Sequence, residues 1–164
     1  MSPVRPEFVE CWVFRADDRR DVELLLMRRA AGRIYAGLWQ CVTGLLEPDE
    51  RVPLAALREV AEETGFGASD IEAAYDLDQT TTFYEEGADA VITSALFAVR
   101  IRPGAEPVIS DEHDAYRWVS PSEAVRLAVW PSYRSSVERI VGPLMDRELA
   151  PWFELDRAGR RVRR

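Results

Sequence analysis

Three glutamates lie close together along one short stretch of the chain. Glu59, Glu62 and Glu63 are spaced i, i+3 and i+4, so on a helix their side chains project onto one patch. Like charges at this spacing oppose helix formation by roughly 0.2–0.5 kcal/mol per pair, so we expect a positive group among them. Oxygen ligands grouped in this way suit Mg²⁺ or Mn²⁺, which proteins hold with a few carboxylates and share with substrate phosphates. An acidic solvated helix face with ordinary ion pairs is the plainer alternative.

The element that must position these glutamates is a predicted helix over residues 52–64. Leu54, Leu57 and Val60 recur at the spacing of one helix face, and Gly65 follows as a stop signal. Arg58 lies beside Glu59 and can neutralise part of the acidic cluster. The pattern therefore predicts an amphipathic helix with an apolar side and an acidic side.

The helix belongs to a longer motif that begins at Gly44. Its fixed residues are Gly44, Glu50, Arg58, Glu59, Glu62, Glu63 and Gly65, with apolar residues at positions 60 and 66. Chance agreement at seven fixed and two apolar positions is on the order of 10⁻⁹ to 10⁻¹⁰ per start site. The segment resembles the box of the Nudix hydrolases at every defined position.

This resemblance implies a fold and a set of roles. The fold is expected to be α+β, a Nudix-type α/β/α sandwich with a mixed sheet and the box as a loop–helix–loop. The residues that match Glu59 and Glu63 ligate the metal in that family, and Glu62 often joins them. The arginine that matches Arg58 orients the cluster, and Gly44 allows the backbone to approach the metal or a phosphate closely.

A second acidic segment, residues 111–114, comes shortly before a predicted strand. By itself it is typical of a surface loop. Beside the box it resembles a segment that supplies a carboxylate from outside the helix, and we predict that Glu112 is a further metal ligand or the general base. His113 could act as a base by its ordinary pKa, but we interpret this lone histidine as incidental. Glu50 is expected to brace the box loop or to serve a further ion.

Three further segments narrow the resemblance within the family. Residues 39–44, 112–119 and 130–134 are similar to the dihydroneopterin triphosphate and dATP pyrophosphohydrolases. Diadenosine polyphosphate hydrolases stay open as an alternative, because they favour an aromatic residue near position 83 or 84. The residues predicted to contact a purine or pterin are Trp39, Gln40, Phe83 and Tyr84, although aromatic residues on strands are usually buried in the core.

Strands and two further helices are predicted around the box. The strands are expected over residues 8–15, 22–28, 39–43, 71–79, 80–84, 91–101 and 115–119. A capping-box sequence at Ser120–Glu123 predicts a helix to about residue 128, and Ser132 is expected to cap a last helix reaching about residue 145. We expect one domain over residues 1–150 and a frayed, arginine-rich tail over residues 151–164.

Composition excludes several classes of protein. The 164 residues carry a net charge of −8, which argues against nucleic acid as the main partner. The absence of lysine excludes a P-loop and Schiff-base chemistry. One histidine and two cysteines, Cys11 and Cys41, which we interpret as buried thiols, leave no zinc site. Without an apolar segment for export or membrane insertion, we expect a cytoplasmic protein with no membrane partner; a homodimer stays open.

These observations converge on one expected function. We predict a Mg²⁺-dependent, or Mn²⁺-dependent, hydrolase that cleaves a diphosphate linkage in a nucleoside triphosphate or a pterin triphosphate. The alternative from another class is a catalytically silent Nudix-fold domain that binds or senses a nucleotide. Such domains typically lose glutamates of the box, and this box is complete.

Overall fold

Eight strands form one mixed sheet in the computed structural model, which describes residues 4–163. The strands are β1 (Phe8–Ala16), β2 (Val22–Arg29), β3 (Trp39–Gln40), β4 (Val42–Leu45), β5 (Ile71–Glu85), β6 (Ala90–Ile101), β7 (His113–Val119) and β8 (Glu154–Leu155). The helices are α1 (Val52–Thr64), α2 (Pro121–Leu127), α3 (Pro131–Val141) and α4 (Ala150–Phe153), and a 3-10 turn covers Pro143–Met145. No helix within residues 4–163 combines the length and the apolar character needed to span a bilayer.

The strand order makes the sheet mixed. The strands lie in the order β3-β2-β1-β6-β5-β8, with β4 paired to β1 and β7 paired to β2. β1 and β6 run parallel, whereas the other pairs are antiparallel. Because β1 pairs with β2 near one end and with β4 near the other, the sheet divides there, and the box glycine Gly44 lies on the β4 branch.

Helices cover both faces of this sheet. On the α1 face, Val9, Cys11 and Val13 of β1 pack in the same cluster as apolar residues of α1. On the α3 face, Trp12 and Phe14 of the same strand pack with residues of α2 and α3. This alternation follows from the two-residue period of a strand. The predicted α/β/α sandwich with a mixed sheet is confirmed.

Helix α1 has the predicted bounds, 52–64, and it ends where Gly65 adopts a left-handed conformation with φ of 71°. Ser120 caps α2 as predicted, because its Oγ accepts a hydrogen bond from the Glu123 backbone N–H at 3.2 Å. The prediction that Ser132 caps the last helix is wrong. α3 begins at Pro131 and ends at Val141, before Pro143, whose nitrogen has no hydrogen to donate to a continuing helix.

Two predicted strand boundaries also differ from the structure. The strands expected over residues 71–79 and 80–84 are one long strand, β5, whose register shifts between Asp76 and Gln79. Asp78 lies in this irregularity at a positive φ of 50°, so a bulge replaces the predicted break. The strand expected over residues 39–43 is instead two short strands, β3 and β4, on either side of Cys41.

The expectation of a frayed tail after residue 150 is wrong. β8 adds to the edge of β5, where Leu155 is the strand partner of Ala74, and Leu155 packs against the α1-face cluster. Further along, a Cβ placed on Gly159 would lie 3.0 Å from the Pro53 side chain at the start of α1. Arg51 also donates a hydrogen bond to the Gly159 carbonyl oxygen at 3.0 Å. Strand pairing and apolar contact therefore hold this segment to the domain.

Replacing Leu155 with alanine should lower the free energy of unfolding by about 1–2 kcal/mol, roughly half the cost of removing a fully buried leucine, because Leu155 is only partly buried. Thermal denaturation followed by circular dichroism measures the change. Val162→Ala is the matched control, since Val162 is 57% exposed in the same segment. Equal melting temperatures for the two variants would contradict the docking of β8.

Candidate active site

The Glu59 side chain of helix α1 occupies the space beside β4 that a side chain at position 44 would fill. A Cβ built on Gly44 would lie 1.9 Å from Cδ of Glu59. The Glu59 carboxylate therefore lies directly against the backbone of β4. A glycine at this position lets the backbone approach an acidic side chain and any phosphate bound beside it.

Arg58 is the positive group among the acidic residues of the box. Its Nε and Nη2 donate to the two carboxylate oxygens of Glu50 at 3.0 and 3.1 Å, a bidentate pair that lowers the pKa of Glu50. Its Nη1 donates to Glu59 at 2.7 Å and to Glu62 at 3.2 Å, and its Nη2 also donates to the Leu45 carbonyl oxygen at 3.0 Å. Arg58 thus connects the loop before α1 to the acidic side of the helix.

Glu63 is the most buried acidic residue of the box, at 3% exposure. Its Oε2 has no hydrogen-bond partner among the described residues. Burial, followed by the charges of Glu112 and Glu59, raises the pKa of Glu63 to about 8, although a hydrogen bond with the Thr43 backbone opposes the rise. A buried carboxylate with acidic neighbours is unfavourable when ionised, and a bound cation would compensate its charge.

Glu112 belongs to the same electrostatic cluster although it lies outside the box. It directly precedes β7, where Arg29 at the end of β2 donates from Nη1 to its Oε2 at 2.7 Å. Burial is the largest cause of the raised pKa of Glu59, and the negative charge of Glu112 contributes to it, as it does for Glu63. The charge of Glu112 therefore acts on two glutamates of the box, and its role as a metal ligand or general base stays a prediction.

His113 has closer contact with the site than its sequence context indicated. Its Nε2 lies 3.9 Å from Oε2 of Glu63, and neither ring nitrogen has a hydrogen-bond partner among the described residues. Burial, together with the charge of the nearby Arg29, lowers the pKa of His113 to about 4. The imidazole is therefore neutral near pH 7. The only sequence signal for this placement was the position of His113 beside Glu112, and nothing in the sequence signalled Arg29.

The donor set fits a hard divalent cation, but arginines hold part of it. Within residues 4–163 no three acidic, histidine or cysteine side chains stand together at the spacing of a preformed metal site. Arg58 binds Glu59, and Arg29 binds Glu112. Oε2 of Glu63 and the Glu59 carboxylate that packs on Gly44 are oxygen ligands of the kind that Mg²⁺ prefers. Water and substrate phosphate would complete the coordination shell. A bound cation would therefore replace an arginine as the partner of the Glu59 or Glu112 carboxylate.

The four residues predicted to contact a purine or pterin ring lie in two separate parts of the structure. Trp39 lies beside Arg117 of β7, whose guanidinium is 5.0 Å from the ring centre. Gln40 is 6% exposed and its Nε2 donates to Oγ1 of Thr43, the residue before Gly44, at 3.4 Å. Gln40 is therefore linked to the acidic cluster through Thr43, whereas Trp39 lies against the arginines of β2 and β7.

Phe83 and Tyr84 lie near the end of the β5–β6 hairpin. Successive side chains of a strand point to opposite faces, and here Phe83 contacts the ring of Phe8 edge-to-face at 5.9 Å. Tyr84 instead donates from its hydroxyl to Asp89 at 2.8 Å within the hairpin. The two aromatic residues do not share one surface, and a role in substrate binding stays a prediction for each.

Comparison with known proteins places this geometry in a family. The family described as the NUDIX domain matches residues 5–140. The chain is 33% identical over 113 residues to a CTP pyrophosphohydrolase of Escherichia coli, covering 69% of this chain and 78% of that protein. It is 34% identical over 121 residues to an octanoyltransferase of Myxococcus xanthus, covering 73% of this chain. The matched region is only 32% of the length of that second protein.

A solved structure shares the fold over nearly the full domain. The dihydroneopterin triphosphate pyrophosphohydrolase of E. coli superposes with a TM-score of 0.70 at 26% identity, over 84% of this chain and 95% of that one. The complete box, the packing of α1 on Gly44 and the family match over residues 5–140 agree. The chain belongs to the Nudix hydrolase family.

Proposed function

We propose that this protein is a Mg²⁺-dependent hydrolase that cleaves a diphosphate linkage in a nucleoside triphosphate or a pterin triphosphate. The observation that carries the proposal is the buried Glu63, whose Oε2 has no hydrogen-bond partner among the described residues and whose pKa is raised by the charges of Glu112 and Glu59. The likeness to the E. coli dihydroneopterin triphosphate pyrophosphohydrolase supports the choice of substrate class. The net charge of −8 favours a small phosphorylated substrate over a nucleic acid.

Each acidic residue has a proposed part in the reaction. Glu59 and Glu63 would hold the cation, with Glu62 at the exposed side of the same patch. When bound, the cation neutralises charge on the phosphoryl oxygens of the anhydride. Before the cation binds, Arg58 holds Glu59 in position through its hydrogen bond at 2.7 Å. Mn²⁺ would suit the same oxygen ligands.

The chain supplies a base for the attacking water through Glu112. Water attacks phosphorus, a new P–O bond forms, and the anhydride P–O bond breaks, so that the triphosphate yields a monophosphate and pyrophosphate. Glu112 accepts the proton that the water loses, and Arg29 holds this carboxylate in position at 2.7 Å. Trp39 and Gln40 would contact the substrate on the β3 side of the site.

A panel of nucleoside triphosphates, dihydroneopterin triphosphate and diadenosine tetraphosphate, supplied with Mg²⁺, tests the proposal when the products are identified by mass spectrometry. We expect a triphosphate to give a monophosphate and pyrophosphate. Preferential cleavage of diadenosine tetraphosphate would favour the diadenosine polyphosphate alternative. A nucleotide that raises the melting temperature and is never hydrolysed would instead identify a silent binding domain.

Replacing Glu112 with glutamine should reduce kcat about 10²-fold and change the pH–rate profile, because the variant loses the proposed base. Steady-state rates between pH 6 and pH 9 measure both effects. Asp111→Asn is the matched control, because the Asp111 side chain is 91% exposed and pairs only with Arg33 among the ion pairs of the described residues. An unchanged pH–rate profile for the Glu112 variant would eliminate this residue as the base.

A further inference from the structure

Glu10 is an acidic residue in the middle of a core strand. Its neighbours in β1, Val9 and Cys11, pack toward α1, so Glu10 points to the opposite α3 face, the face to which Trp12 also points. The side chain is half-buried. Within residues 4–163 the structure shows no ion pair between Glu10 and an arginine or histidine. Among the described residues, no hydrogen bond joins Glu10 to a glutamate of the box.

The surroundings of Glu10 are polar and uncharged. Thr81 on β5 donates from Oγ1 to the Glu10 carboxylate at 3.2 Å, and Ser94, the strand partner of Thr81, lies on β6 between them. Burial raises the pKa of Glu10, and the hydroxyls of Ser94 and Thr81 lower it. A half-buried carboxylate that lacks a cation loses hydration without full compensation. Such a group is suited to a ligand that brings hydrogen-bond donors.

Glu10 also lies next to the candidate active site. Its strand partner on β4 is Thr43, and the next residue is Gly44, which packs on Glu59. Paired residues in antiparallel strands have Cα atoms about 4.5–5.5 Å apart. A substrate whose phosphates lie at Gly44 could therefore reach the Glu10 carboxylate with the remainder of the molecule by passing the end of β4.

The α3 face around Glu10 is open at one side. Helix α3 contacts β5 at Gln79, whose Nε2 donates to the Ser132 carbonyl oxygen at 3.2 Å. Thr81 and Phe83 follow on the same face, and Phe83 is 40% exposed with its ring against Phe8. A flat ring could thus pack against the exposed part of Phe83 with one polar edge at the carboxylate of Glu10.

We propose that Glu10 determines base specificity by accepting hydrogen bonds from a ring edge that presents two adjacent donors. Guanine and pterins share this chemistry, a ring N–H beside an exocyclic amino group. An ionised carboxylate only accepts hydrogen bonds, so it matches this edge with both oxygens. Adenine and cytosine place a ring acceptor beside their amino group and would leave one oxygen facing a lone pair. This inference rests on the proposed hydrolysis of triphosphates.

The test compares kcat/KM for dGTP, dihydroneopterin triphosphate, dATP and dCTP in the wild type and in Glu10→Gln. We expect the wild type to prefer dGTP or the pterin at least tenfold over dATP and dCTP. In the variant, kcat/KM for the preferred substrate should fall at least tenfold. The values for dATP and dCTP should stay within about twofold of the wild-type values or rise. The relative kcat/KM values for dGTP and dihydroneopterin triphosphate identify which of the two ring systems, guanine or pterin, the site accepts.

Glu72→Gln is the matched control, because Glu72 is an exposed glutamate on β5 that pairs with Arg100, and all four rates should be unchanged in this variant. If Glu10→Gln does not fold, inhibition of the wild type by GMP and by AMP tests the predicted preference for a guanine edge. Inhibition by GMP is expected to be stronger. Turnover without preference, or an equal loss on all four substrates, would overturn the role of Glu10 alone. Absence of turnover on every triphosphate would overturn the proposed function together with this inference.

Discussion

Replacing Glu63 with glutamine should lower kcat at least about 10³-fold and leave the protein folded. Glutamine keeps the shape of the side chain and removes the negative charge that a cation requires from its ligand. Because burial and neighbouring charges raise the pKa of Glu63 to about 8, the ionised form is disfavoured in the metal-free fold. The variant should therefore melt at the same temperature as the wild type, or higher, when a chelator is present.

Glu138→Gln is the control for this experiment, since Glu138 is an exposed glutamate on α3. Glu62→Gln gives a graded comparison, because the Glu62 side chain is 59% exposed and forms an ion pair with Arg58. The decrease in kcat should be smaller in this variant than in Glu63→Gln. Steady-state turnover with Mg²⁺ and thermal melting in EDTA measure the two effects. Near-normal turnover in Glu63→Gln would refute its role as a ligand.

Replacing Gly44 with alanine should reduce kcat at least about 10²-fold with only a modest loss of stability. The added Cβ would lie 1.9 Å from Cδ of Glu59, so the Glu59 side chain must move. This side chain is flexible and can relocate, but it then leaves the position in which Arg58 holds it. The cost should therefore appear in catalysis, since misplacement of a positioned group by about 1 Å can cost on the order of 10²-fold.

Gly67→Ala is the matched control, because a Cβ at Gly67 would meet no atom within 4 Å. Activity and melting temperature should both be unchanged in this variant. Turnover of Gly44→Ala equal to that of Gly67→Ala would show that close packing of Glu59 on β4 is unnecessary. Unfolding of Gly44→Ala would show that Glu59 cannot relocate, contrary to the expected separation of activity from stability.

Local signals explain why the helix of the box could be predicted to the residue. The bounds of α1 depend on an apolar period of three to four residues and on Gly65, which adopts the left-handed conformation. These signals act within a few residues of the helix ends. The spacing of Glu59, Glu62 and Glu63 likewise depends only on helix geometry, although their exposure differs between the fully buried Glu63 and the exposed Glu62.

Other features depend on contacts that are distant along the chain. The docking of β8 needs the free edge of β5, about 80 residues away, so the arginine-rich composition of the tail was misleading. The continuity of β5 through its bulge needs β6 as a template, and the polar sequence at Asp76 and Asp78 obscured it. His113 contacts Glu63 only because β7 pairs with β2, and no periodic pattern encodes this approach.

The central claim is that the acidic side of α1 binds a divalent cation. Anomalous diffraction from a crystal soaked in Mn²⁺ tests it most directly. The claim predicts a peak within about 2.5 Å of carboxylate oxygens of Glu59 and Glu63, with Arg58 displaced from the Glu59 oxygen that binds the ion. A well-ordered crystal that shows no ion between these two glutamates, with the Arg58–Glu59 pair intact, would contradict it.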